Sequence, residues 1–70
     1  MRISARNQLT GTVRSITEGA VMAEVTVELD GGQTIVSAIT LDSARRLGLA
    51  PGSRVTALVK ATEVMLGVDD

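Results

Sequence analysis

The sequence predicts an all-β fold with one short helix, and three features carry that prediction. Residues 21–29 alternate strictly between two faces, as a half-buried strand requires. A glycine-rich turn and a run of β-branched residues follow directly. Helical spacing is found in one stretch alone, about two turns long.

Taken in order, the first element is a strand over residues 8–17. Gly11 within it signals a bend or bulge, and Glu18-Gly19-Ala20 signals the turn that ends it. The second strand, residues 21–29, puts Val21, Ala23, Val25, Val27 and Leu29 on one face and Met22, Glu24, Thr26 and Glu28 on the other. Asp30-Gly31-Gly32 supplies a hairpin turn, because glycine tolerates the positive φ that such turns need. Residues 33–40 return as a third strand, rich in β-branched Thr34, Ile35, Val36 and Ile39.

The helix covers residues 41–47. Thr40 or Asp42 caps its start, Leu41, Ala44 and Leu47 share a face, and Gly48 ends it. Arg45 and Arg46 complement the helix dipole near its C-terminus. Pro51-Gly52 marks a turn. Residues 53–61 then alternate Val55, Ala57 and Val59 against Arg54, Thr56, Leu58 and Lys60. A fifth strand is expected over 63–68, with Val64, Leu66 and Val68 in step, while Asp69 and Asp70 fray. Five strands with a helix between the third and fourth is the order of an OB-type Greek-key barrel; an SH3-like small barrel is its competitor.

Seventy residues make a single domain, 1–70. A chain below about 70–80 residues usually needs a staple such as a disulfide, a metal or partner subunits. With neither Cys nor His, disulfides and the usual zinc ligands are excluded, which leaves oligomerisation. The core must also be built without Phe, Tyr or Trp. A net charge of −1 and the lack of aromatic stacking surfaces argue against a nucleic-acid partner. The polar start, Met1 to Asn7, lacks the apolar stretch of a signal peptide, and no apolar run approaches a membrane span. The expected compartment is the cytoplasm.

An enzyme is not expected, since the commonest general bases and nucleophiles are missing and no paired carboxylates stand out. Binding has better candidates. Ser4-Ala5-Arg6-Asn7 packs a hydroxyl, a guanidinium and an amide into one irregular segment, donors that suit a tetrahedral oxyanion. Thr40, with Ser43 close behind, lies at the start of the helix. Lys60 closes an apolar strand and is followed by Ala61-Thr62. Each has an ordinary local reading: a polar terminus, a helix cap, a charge that guards a strand edge.

Together these residues resemble a known family. Ser4-Ala5-Arg6-Asn7-Gln8, Gly19-Ala20-Val21-Met22-Ala23-Glu24-Val25, Ala38-Ile39-Thr40, Leu47-Gly48-Leu49, Pro51-Gly52 and the segment 55–65 are similar, in order and spacing, to the molbindins, or Mop-type molybdate-binding domains. The resemblance implies an OB fold that binds molybdate and tungstate without modifying them. It also implies a homo-oligomer, a hexamer built as a trimer of dimers, with anions at the subunit interfaces. Carried over to this chain, the contacts are Ser4, Arg6, Thr40 and Lys60, with the Ala5 backbone, Ser43, Ala61 and Thr62 assisting. A second oxyanion site falls at the Gly19-Ala20-Val21 turn.

The function so implied is intracellular storage, buffering or homeostasis of molybdate or tungstate, with no cofactor and no metal cation: molybdenum enters as the oxyanion. The alternative is an oxyanion-sensing module acting on a separate transporter or transcription-factor partner. A nucleic-acid-binding OB module ranks behind both.

Overall fold

The computed structural model describes residues 1–69. Four strands form one antiparallel sheet: β1 (Asn7–Glu18), β2 (Met22–Leu29), β3 (Thr34–Thr40) and β4 (Arg54–Val59). A short helix, α1 (Leu41–Arg46), stands between β3 and β4, and a 3-10 turn, Ala61–Glu63, follows β4. The spatial order is β3-β2-β1-β4, so β3 and β4 are both edges and the curled sheet is a half-barrel.

The length of β1 sets this shape. Its first half, Asn7 to Thr12, pairs with β4, and its second half, from Gly11 onward, pairs with β2. Only around Gly11 and Thr12 does β1 have neighbours on both sides. A Cβ built on Gly11 would lie 2.5 Å from the Glu28 carbonyl oxygen and 2.9 Å from Val27 Cγ1. Only glycine lets the two backbones approach so closely. Of the bend or bulge expected at Gly11, the bulge lies further along: Val13 faces Val27 and Ser15 faces Thr26, which leaves Arg14 as the extra residue.

The alternation of residues 21–29 survives from Met22 on. Ala23, Val25 and Val27 are buried, and with Val13 they form the core, flanked by Ile16, Leu29, Ile35, Ile39, Leu49 and Val55. Val21 departs from the expected pattern. It lies in the turn before β2 and is 70% exposed, since the reversal at 19–22 is closed by Gly19 N–H donating to the Met22 carbonyl at 2.8 Å.

Thr40 caps α1: its hydroxyl oxygen accepts from the Ser43 backbone N–H at 3.0 Å. The helix ends where Gly48 adopts φ +65°, with Gly48 N–H donating to the Arg45 carbonyl and Leu49 N–H to the Ala44 carbonyl. That paired ending turns Leu47 outward, against the face predicted for it. Ala44 is buried, and Leu49 packs on the core in place of Leu47.

Residues 63–68 do not form the expected fifth strand within this chain. The 3-10 turn is held by Glu63 N–H to the Lys60 carbonyl at 2.9 Å, and residues 64–69 beyond it join no ladder. Met65, Leu66 and Val68 are 92%, 93% and 89% exposed. The alternation is present, but a strand exists only by pairing, and the turn carries this segment off the β4 edge.

Candidate functional site

Residues before β1 and after β4 leave the sheet side by side, because Asn7 and Val59 are paired there. The Asn7 side-chain amide donates to the Val59 carbonyl at 3.1 Å and fastens that corner. Gln8 Nε2 donates to the Ala5 carbonyl at 2.9 Å and folds the N-terminal segment back over it. A cavity of about 320 Å³ results, lined by Ser4, Ala5, Arg6, Lys60, Ala61 and Thr62. Six of the eight residues expected at the first oxyanion site thus meet in one place.

Its electrostatics are one-sided. Among the described residues no carboxylate lines the cavity. Elsewhere Arg14, Arg45, Arg46 and Arg54 lie against Glu28, Glu18, Asp42 and Asp30 respectively. Arg6 and Lys60 have no such carboxylate among the described residues. Two uncompensated cations beside two hydroxyls form a donor set for an anion, and no other lining group opposes it.

Thr40 and Ser43 lie elsewhere. Thr40 ends β3, paired with Met22, at the opposite edge of the sheet from β4 and toward the opposite end of β1. Its hydroxyl donates to Ser43 Oγ at 2.7 Å while accepting the cap bond. The Thr40 proton is thus turned to the helix start, whereas Ser43 Oγ accepts from Thr40 and from Arg46 Nη2 and keeps its own proton to donate; no single chain brings either hydroxyl to Arg6 and Lys60.

Thr40 instead lines a second cavity of about 520 Å³ with Ala20, Val21, Leu41, Asp42 and Arg45. Two of the three residues expected at the second site, Ala20 and Val21, are therefore found together; Gly19 braces the turn behind them. Leu41 N–H donates to the Val21 carbonyl at 2.8 Å and joins helix to turn. Sequence reasoning gave Arg45 only a dipole role. The signal for more was its spacing, one helical turn past Leu41 on the same face.

Arg54 is a cation without a vacancy. It grips Asp30 with both nitrogens, at 2.7 and 3.0 Å, and Thr10 Oγ1 donates to the same carboxylate at 3.0 Å. These hydrogen bonds lower the Asp30 pKa to about 2. Among the described residues, no three His, Cys, Asp or Glu side chains gather as a metal site. No described helix is long and apolar enough to cross a membrane.

The TOBE domain model matches residues 3–66. The chain belongs to the TOBE-domain family, in its molbindin branch. Molybdenum-pterin-binding protein 2 of Clostridium pasteurianum is 52% identical over 66 residues, covering 94% of this chain and 97% of that one. Among solved structures, a molybdate-binding protein from Sporomusa ovata superposes with a TM-score of 0.91 at 48% identity, covering 97% of this chain and all of that one. The cytoplasmic molybdate-binding protein ModG, crystallised with molybdate bound, gives a TM-score of 0.93 at 52% identity. This molbindin-type chain is matched over 99% of its length and covers 49% of the ModG chain.

Proposed function

We propose that this chain binds molybdate, and tungstate with it, as an intact oxyanion, and that it serves storage and buffering in the cytoplasm without catalysis. The observation that carries this reading is the cavity of Ser4, Ala5, Arg6, Lys60, Ala61 and Thr62, where two cations meet hydroxyls and, among the described residues, no carboxylate. The molybdate-binding protein of Sporomusa ovata, which it resembles over the whole of that chain, supports the identity of the anion. A dianion between two cations leaves no net charge to be buried, which is the condition for holding it away from bulk water.

The working unit in this proposal is a homo-oligomer, a trimer of dimers. Thr40 and Ser43 of one copy approach the Arg6–Lys60 cavity of another, and the anion lies in the seam. The fifth strand of the barrel forms in the same assembly, from residues 63–68 laid along an open edge of a neighbouring copy. The exposed Val64, Met65, Leu66 and Val68, together with two unpaired sheet edges, support that closure. The Ala20–Val21 cavity is the second oxyanion site.

Titration calorimetry with molybdate, tungstate and sulfate, joined to a native mass measurement, tests the proposal. Molybdate and tungstate are expected to bind well above sulfate, to a particle of six chains. A monomer that gives no heat with molybdate overturns it.

A further inference from the structure

We propose that Arg45 supplies the cationic contact of the second cavity and that Glu18 competes with the oxyanion for it, so that the pair sets the affinity of that site. The proposal deepens the oxyanion-binding reading and rests on it.

Three donors on residues that line the cavity are left without a hydrogen-bond acceptor among the described residues. Arg45 lines it, and the nearest carboxylate, Glu18 Oε1, is 3.8 Å from Nη2, with no hydrogen bond between them. The other arginine of the helix is held more tightly: Arg46 Nε donates to Asp42 Oδ2 at 2.9 Å. Asp42 also lines the cavity, but that contact balances its charge. The other two donors are the backbone N–H groups of Ala20 and Val21, for which no protein acceptor is found among the described residues. The helix dipole is not required, since α1 has six residues and Thr40 already fills its cap.

A tetrahedral dianion entering here meets two amide donors from the turn and a guanidinium from the helix. Arg45 is 69% exposed and free to rotate from the loose contact with Glu18 to the tighter, charge-assisted bond an oxyanion offers. Glu18 opposes binding twice, as a rival partner for Arg45 and as a negative charge beside its guanidinium. The second site is then weaker than the first, whose Arg6 and Lys60 face no carboxylate. Occupancy therefore starts at the Arg6–Lys60 cavities and reaches the turn only when the oxyanion is abundant, a graded capacity suited to a buffer.

The test is calorimetric titration of the assembled protein with molybdate, in wild type and in an Arg6→Ala background that suppresses the first class of site. Arg45→Ala is expected to weaken the remaining class about tenfold or more, Arg45→Lys less, and Glu18→Gln to strengthen it several-fold. All three side chains are exposed, so these variants fold as the parent does. If Arg45→Ala and Glu18→Gln give isotherms that superimpose on their parents while Arg6→Ala removes its own class, the inference falls and the first-site reading stands. If wild type binds no molybdate, both fall.

Discussion

Replacing Arg6 with Ala separates binding from folding. Its guanidinium makes no hydrogen bond or ion pair among the described residues, so its loss leaves no buried partner unsatisfied. The expected change in unfolding free energy is within about 0.5 kcal/mol, as for other surface sites. Binding behaves differently. A hydrogen bond to a charged group is worth about 1.5–3 kcal/mol, which is roughly a ten- to hundredfold loss of molybdate affinity. Lys60→Ala is expected to act similarly, and the double variant to lose more than either, because the dianion then meets hydroxyls and amides alone. Calorimetry at fixed ionic strength gives the affinity, and urea denaturation of the unliganded protein gives the stability. Raising salt is expected to weaken wild type more than Arg6→Ala, since fewer charges remain to be screened. An Arg6→Ala protein with unchanged affinity refutes the cavity as the binding site. A loss of stability that matches the loss of affinity refutes the separation of the two roles.

Three further perturbations test the frame around that site. Gly11→Ala forces a Cβ within 2.5 Å of the Glu28 carbonyl oxygen, and the strand shift that follows is expected to cost about 1–3 kcal/mol by urea denaturation; an unchanged midpoint contradicts the close approach. The Asp30 carboxyl is held down to a pKa of about 2 by Arg54 and Thr10, so its ionised form favours the folded state. That stability is fully present above the unfolded value near 3.8 and is lost as pH falls toward 2; Asp30→Asn is expected to flatten this part of a denaturation-versus-pH curve. Leu66→Asp tests barrel closure: as a free tail its effect on stability stays within about 0.5 kcal/mol, whereas in an inter-chain strand the particle mass falls and the melting temperature with it.

Local sequence signals carried the fold up to the point where pairing between distant segments decides. The β2 alternation, the hairpin turn, the Thr40 cap and the Gly48 ending are written in neighbouring residues, and each forms close to where the sequence indicates it. Val21, Leu47 and residues 63–68 depart from the expected pattern within one chain for one reason. All three carry the right periodicity, yet burial is set by a turn, a helix ending and an absent ladder, none of which periodicity encodes. The bulge is a similar case: glycine pointed to Gly11, where the need is close approach, while the extra residue is Arg14, whose long side chain gives no warning.

The candidate site was legible as a set of residues but not as a geometry. Ser4, Arg6, Lys60 and Thr62 are 54 or more positions apart across the two segments, and only the Asn7–Val59 pairing makes them neighbours. Thr40 belongs to the same set by family pattern, yet it stands at the far edge of the sheet, its hydroxyl proton turned to Ser43 Oγ. A residue matched by pattern but separated by topology acts, in the proposed assembly, on a neighbouring copy. The same topology leaves two open edges and an apolar tail on each copy. In that proposed assembly, closing the barrel and completing the anion site are one event, and an oxyanion bound at the seam is expected to stabilise the assembly increasingly as its concentration rises above the dissociation constant.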